Sequence, residues 1–124
     1  MPQPPDAALL PAGVLDGAAL ARLHELDPGG EAGLVARVLA TYTRSLERLL
    51  EQLRQSREAS DLQAQRHVAH TLKSSSASVG ALKLSALCAD IESRLRDGAT
   101  EGIGDALDAL AEEGRRLLVA LRPS

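Results

Sequence analysis

Apolar residues recur at steps of three and four positions through most of this chain, and that repeat constrains the fold more than any other feature. The longest example runs from about Glu31 to Glu58. Its apolar positions are Leu34, Val35, Val38, Leu39, Tyr42, Leu46, Leu49, Leu50 and Leu53. Such steps place side chains on one face of an α-helix. The pattern therefore predicts a long amphipathic helix that buries one face.

A shorter helical pattern precedes the long one. Asp16 stands where a helix N-cap is expected, and Leu15 and Leu20 have the spacing of a hydrophobic staple. One helical face is formed by Leu20, Leu23 and Leu26. The run Asp27-Pro28-Gly29-Gly30 should end this first helix, since proline and glycine break helical structure.

A third helix is predicted from a capping signal and a glycine. Ser60-Asp61-Leu62-Gln63 has the form of a capping box, with a hydroxyl residue three positions before glutamine. Gly80 is a suitable residue for a helix C-terminus, so this helix should run to about Val79.

Two further helical patterns complete the chain. The fourth helix is marked by Leu84, Leu87, Cys88, Ile91 and Leu95 and should end at Asp97-Gly98. The fifth, which should begin after Thr100, is marked by Ile103, Leu107, Leu110, Leu117, Leu118 and Leu121.

No segment alternates apolar and polar residues as a half-buried strand would. Four substantial amphipathic helices with short connections predict an all-α fold, an antiparallel up-down four-helix bundle with a short additional N-terminal helix. Residues 15–122 should form this single domain. Residues 1–14 hold four of the six prolines and should be a Pro/Ala-rich linker or leader.

Composition excludes several classes of function. A net charge of -3, without Trp or Phe, offers neither a basic surface nor an aromatic platform for nucleic acid. No segment has the ~18 apolar residues of a membrane span. Cys88 has no partner for an internal disulfide, so it should be a buried thiol in a reducing compartment. We expect a cytoplasmic monomer without nucleic-acid or direct membrane contact.

The third helix places His70 away from the core. At 100° per residue, one arc of the helix contains Leu62, Val68, Ala69, Leu72, Ser76 and Val79, and this arc should face the bundle interior. His70 lies about 140° from the middle of that arc. Its face is shared by Gln63, Arg66, His67, Lys73, Ser74 and Ala77. Because Ser74 and Ala77 are small, a partner protein could approach the imidazole closely.

An exposed imidazole is a nitrogen nucleophile that needs no general base near neutral pH. Lys73 lies one turn along and could bring its ammonium to an anionic group on His70. The chain has no glycine-rich phosphate loop and no aspartate cluster for magnesium. Any phosphoryl donor, and its metal, should therefore come from a partner.

These residues resemble the histidine-containing phosphotransfer (HPt) domain family. The resemblance rests on His70-Thr71-Leu72-Lys73, the small residues up to Ser78, Gly80-Ala81, Leu84, Leu87, Cys88 and Ile91-Glu92. It implies that His70 accepts a phosphoryl group from the aspartyl phosphate of one response-regulator receiver domain and passes it to another. It also implies that Lys73 steadies the phosphoryl group, Gly80 closes the helix and Tyr42 packs beneath the site, where the family often has Phe. No cofactor is implied on this chain, and Mg²⁺ is expected on the receiver.

Ser74 departs from the family pattern, which commonly has glycine directly after the lysine. Serine is still small, so we expect transfer to persist. Gln63, Arg66, His67 and Lys83 are candidates for contact with the partner. His67 and His70 could in principle share a metal, but no third ligand accompanies them, and we predict no metal site.

Other functions fit the same helical pattern. One is a silent helical interaction module that has lost transfer activity. Another is the dimerisation domain of a histidine kinase, but those have an acidic residue after the histidine and a proline soon after, whereas Thr71 follows here. A third is the phosphoacceptor domain of a chemotaxis-type histidine kinase. The sequence leaves open whether the protein stands alone or forms the cytoplasmic end of a membrane-bound hybrid sensor kinase.

Overall fold

The computed structural model describes residues 15–30 and 33–122, which form five helices and no strand. The helices are α1 (Gly17–Glu25), α2 (Leu34–Glu58), α3 (Leu62–Val79), α4 (Leu82–Arg96) and α5 (Ile103–Leu121). The all-α prediction is confirmed. The predicted linker, residues 1–14, lies outside the described residues.

Each of the four long helices packs against two of the others, so that together they enclose one core. Each of α2, α3 and α4 packs against the next helix in the chain, and α5 packs back against α2. The short α1 lies against α2 and α3. The core between them is almost entirely aliphatic, and its fully buried large side chains include Leu46, Leu72, Leu84, Ile91 and Leu110. Burying four apolar faces together accounts for the bundle.

The helix ends agree with the predicted signals, with one exception. The Asp16 carboxylate accepts a hydrogen bond from the Ala19 amide at 3.0 Å. The predicted capping box at Ser60 is wrong, because the N-cap of α3 is Asp61, whose carboxylate accepts from the Ala64 amide at 3.0 Å. Ser60 has a φ of 53° and belongs to the left-handed turn that ends α2, so its side chain is not placed to cap α3.

Two leucines are more exposed than their helical spacing suggested. Leu62 is 47% exposed, because it is the first residue of α3 and lies at the edge of the bundle. Gln65 is buried in this part of α3, and its amide donates to the Ser56 carbonyl at 3.3 Å. Leu26 is 75% exposed, since α1 has already ended at Glu25.

Gly80 joins α1 to the end of α3. It ends α3 with a φ of 84°, a conformation that favours glycine. Its carbonyl accepts a hydrogen bond from the Asp16 amide at 2.8 Å. A Cβ at this position would lie 2.7 Å from the same amide nitrogen. The glycine is therefore required both by its backbone conformation and by the close approach of α1.

No helix within the described ranges is long and apolar enough to cross a lipid bilayer.

Candidate functional site

His70 lies near the middle of α3, with its side chain 67% exposed. Its neighbours Ala69 and Leu72 are completely buried. The outward direction predicted from helical spacing is thus confirmed. The imidazole can be reached by another protein while the helix that carries it remains anchored in the core.

A carboxylate from the neighbouring helix holds both His70 and Lys73. Glu92 of α4 places Oε2 2.5 Å from Nδ1 of His70 and Oε1 2.6 Å from Nζ of Lys73. The Glu92 side chain is only 11% exposed. The site is therefore a three-residue cluster built from two helices.

The sequence interpretation missed Glu92 as a site residue, although Ile91-Glu92 was part of the family resemblance. The available signal was a charged residue on the buried face of a helix, directly after Ile91 and four positions after Cys88. Carboxylates in such positions are normally paired. The sequence does not say which basic residue is the partner, because the pair joins different helices.

The hydrogen bond from the Lys73 ammonium holds the pKa of the Glu92 carboxyl below its ordinary value of 4.5, and the bond to His70 adds to this, although burial opposes both. Glu92 is therefore ionised at neutral pH and can only accept hydrogen bonds. In the neutral imidazole, Nδ1 must then carry the proton. Nε2 is left with its lone pair.

The surface beside His70 is formed by small side chains. Ser74 and Ala77, one and two turns further along α3, are both exposed. The hydroxyl of Ser78 donates to the Ser74 carbonyl at 3.1 Å and so lies against its own helix. No long side chain at these positions shields the imidazole.

Tyr42 packs against the opposite, core face of α3. It is 4% exposed, and its hydroxyl lies 2.7 Å from the hydroxyl of the fully buried Ser76. Burial raises the pKa of Tyr42 to about 12. Tyr42 is thus buried in the core, and its hydroxyl forms with Ser76 a polar pair that joins α2 to α3.

The predicted partner-contact residues fall into two groups. Gln63, Arg66 and His67 are exposed on α3 before His70. Lys83 is exposed near the start of α4, beyond Gly80, and its Nζ lies 3.7 Å from Oε1 of Glu113. Among the residues whose positions are described, no group of three or more His, Cys, Asp or Glu side chains could hold a metal ion.

Comparisons with known proteins identify a family and a similar solved structure. The family model described as the Hpt domain matches residues 37–120. The crystal structure of histidine-containing phosphotransfer protein B (HptB) from Pseudomonas aeruginosa PAO1 is similar over 90% of this chain and 93% of that chain. The TM-score is 0.76 and the sequence identity is 27%. No curated protein matches the sequence significantly.

The chain is a helical bundle with an exposed histidine, and the family model matches most of its length. It therefore has a histidine phosphotransfer role in a phosphorelay with receiver domains. The chain belongs to the Hpt domain family.

Proposed function

We propose that His70 is the residue that carries the phosphoryl group, and that it does so on Nε2. The observation that carries the proposal is the 2.5 Å contact between Nδ1 and Glu92 on a side chain that is otherwise 67% exposed. One ring nitrogen is occupied by the protein, and the other keeps a lone pair for a partner.

In the accepting step, the Nε2 lone pair attacks the phosphorus of an aspartyl phosphate on a receiver domain. The new N–P bond forms as the P–O bond to the aspartate breaks, and the aspartate leaves as a carboxylate. The proton on Nδ1 stays in place, donated to Glu92, and offsets the positive charge that develops on the ring. In the passing step, the carboxylate of a second receiver attacks phosphorus and the imidazole leaves.

Lys73 is proposed to stabilise the phosphoryl oxygens. Its ammonium has three N–H donors, of which Glu92 engages one, and its side chain is 36% exposed. A lysine one turn from the imidazole can place a second N–H on the transferred group without leaving the carboxylate.

The receiver is proposed to dock over Ser74 and Ala77, with Gln63, Arg66, His67 and Lys83 as candidates for contact at the edge. Mg²⁺ would be supplied by the receiver. The chain would act as a phosphoryl carrier without its own nucleotide site. Monomeric state, absence of nucleic-acid binding and a cytoplasmic location stay predictions.

The test is transfer of radiolabelled phosphoryl groups from candidate receiver domains to the wild-type protein, His70→Ala and His67→Ala. His67 is a matched control because it is an exposed histidine on the same helix face. We expect acid-labile label on wild type and on His67→Ala, and none on His70→Ala. Label that survives loss of His70, or that is stable in acid, would contradict the proposal.

A further inference from the structure

Ser85 connects α4 to the backbone of the helix that carries the site. Its hydroxyl donates to the carbonyl of Lys73 at 2.9 Å. Ser85 is half-buried between the two helices. Another half-buried serine near the site, Ser75, donates within its own helix, to the Thr71 carbonyl at 3.2 Å.

Ser85 and Glu92 share one face of α4. They are seven residues apart, which is about two helical turns and ~10 Å along the axis. Both contact Lys73, Ser85 through the backbone carbonyl and Glu92 through the ammonium. A single residue of α3 is therefore held by α4 through both its backbone carbonyl and its side chain.

The position of α4 along α3 decides whether Glu92 reaches the imidazole. A shift of one residue moves a helix by about 1.5 Å. Where such a shift runs along the line from Nδ1 to Oε2, it lengthens their separation from 2.5 Å to about 4 Å, beyond hydrogen-bond distance. A contact that keeps the two helices in register thus also keeps the proton on Nδ1.

We propose that Ser85 is a positioning residue for phosphotransfer: its bond to the Lys73 carbonyl sets the register of α4 that places Glu92 against Nδ1 of His70. The inference rests on the proposed role of His70. Apolar packing through the fully buried Leu84, Cys88 and Ile91 holds the bundle together without Ser85. Loss of the hydroxyl should therefore leave the fold intact but weaken the hydrogen bond between Nδ1 and Glu92. The tautomer that has its proton on Nε2 then becomes populated, and in that tautomer Nε2 has no lone pair with which to attack phosphorus.

The test compares Ser85→Ala with Ser85→Thr, which keeps a hydroxyl, and with Ser75→Ala, which removes a hydroxyl bonded only within α3. Two quantities are measured in each protein: the ¹⁵N chemical shifts of the His70 ring, which report the tautomer, and the transfer rate constant at saturating receiver.

For Ser85→Ala we expect a shift toward the Nε2–H tautomer and about a fivefold slower transfer, without change in the receiver concentration at half-saturation. Ser85→Thr and Ser75→Ala should resemble wild type. The proposal is overturned by a wild-type tautomer in Ser85→Ala, by a tautomer shift without slower transfer, or by an equal effect of Ser75→Ala. If the role of His70 in transfer is itself wrong, label will persist on His70→Ala, while the tautomer measurement still reports on Ser85.

Discussion

Glu92 Oε2 lies 2.5 Å from His70 Nδ1, so a largely buried carboxylate of α4 determines which nitrogen of an exposed imidazole on α3 is free to react. The same carboxylate contacts Lys73 at 2.6 Å. His70, Lys73 and Glu92 thus form one cluster, in which we propose that His70 is the nucleophile and Lys73 the cation beside the phosphoryl group.

Replacing Glu92 by glutamine should slow phosphotransfer without abolishing it. The amide oxygen of Glu92→Gln can still accept from Nδ1, but the negative charge that balances Lys73 and the developing ring charge is lost. Hydrogen bonds to charged groups are stronger than neutral ones by about 1 kcal/mol, so we expect a fivefold to tenfold decrease in the transfer rate. Glu112→Gln, at an exposed position paired with Arg115, is the control. Wild-type transfer by Glu92→Gln would show that the charge has no role.

Replacing Ser74 by glycine should affect stability more than transfer. Ser74 is exposed inside α3, where glycine is a poorer helix former than serine by about 0.5 kcal/mol. We expect urea denaturation of Ser74→Gly to give a free energy of unfolding lower by about that amount, with transfer retained. Loss of transfer in this variant would mean that the serine hydroxyl takes part in the site.

High pH should destabilise the protein because two buried side chains, Cys88 and Tyr42, lose a proton more easily in the unfolded chain. Burial raises the pKa of Cys88 from 9.0 to about 12 and that of Tyr42 from 10.0 to about 12. The unfolded chain therefore releases these protons first, and the free energy of unfolding falls as pH rises from about 9 toward 12. The slope is roughly 1.4 kcal/mol per pH unit for each group while only its unfolded form is ionised.

Tyr42 is the chain's single tyrosine, so its ionisation can be followed directly by ultraviolet absorbance. Tyrosinate should appear only with unfolding or near pH 12. Ionisation of the folded protein near pH 10 would contradict the burial of the hydroxyl against Ser76. Tyr42→Phe should show a shallower loss of stability above pH 10, because only Cys88 then contributes.

Replacing Gly80 by alanine should loosen α1 from the bundle. Two costs are involved: the left-handed φ of 84° and a Cβ placed 2.7 Å from the Asp16 amide nitrogen. Gly98→Ala is the matched control, because Gly98 has a φ of 73° but nothing within 4 Å of its Cβ. By urea denaturation we expect Gly98→Ala to lose about 1 kcal/mol and Gly80→Ala about 2 to 3 kcal/mol. Equal losses would mean that the contact with α1 adds nothing.

The parts of this structure that depend on neighbouring residues in the chain could be predicted from the sequence. Helical spacing predicted α2 to α5 and the exposure of His70, and Gly80 marked the end of α3. The N-cap of α3 was misplaced by one residue, because Ser60 is taken up by the turn that ends α2 and Asp61 caps instead.

Contacts between helices could not be predicted in the same way. Spacing gives the face of a helix but not the register of its neighbour. The contact of Glu92 with His70, that of Ser85 with the Lys73 carbonyl, and the approach of Asp16 to Gly80 all depend on that register. Leu62 lay on the correct face of α3 but at its first residue, where the bundle no longer covers it.

The most direct test of the site is to identify the phosphorylated nitrogen. The chain has three histidines, and each ring nitrogen of ¹⁵N-histidine-labelled protein can be observed by long-range proton–nitrogen NMR after phosphorylation by a receiver. We expect a single phosphoramidate on Nε2 of His70, with the proton retained on Nδ1. A phosphoryl group on Nδ1 of His70, or on His67, would contradict the geometry that assigns Nδ1 to Glu92.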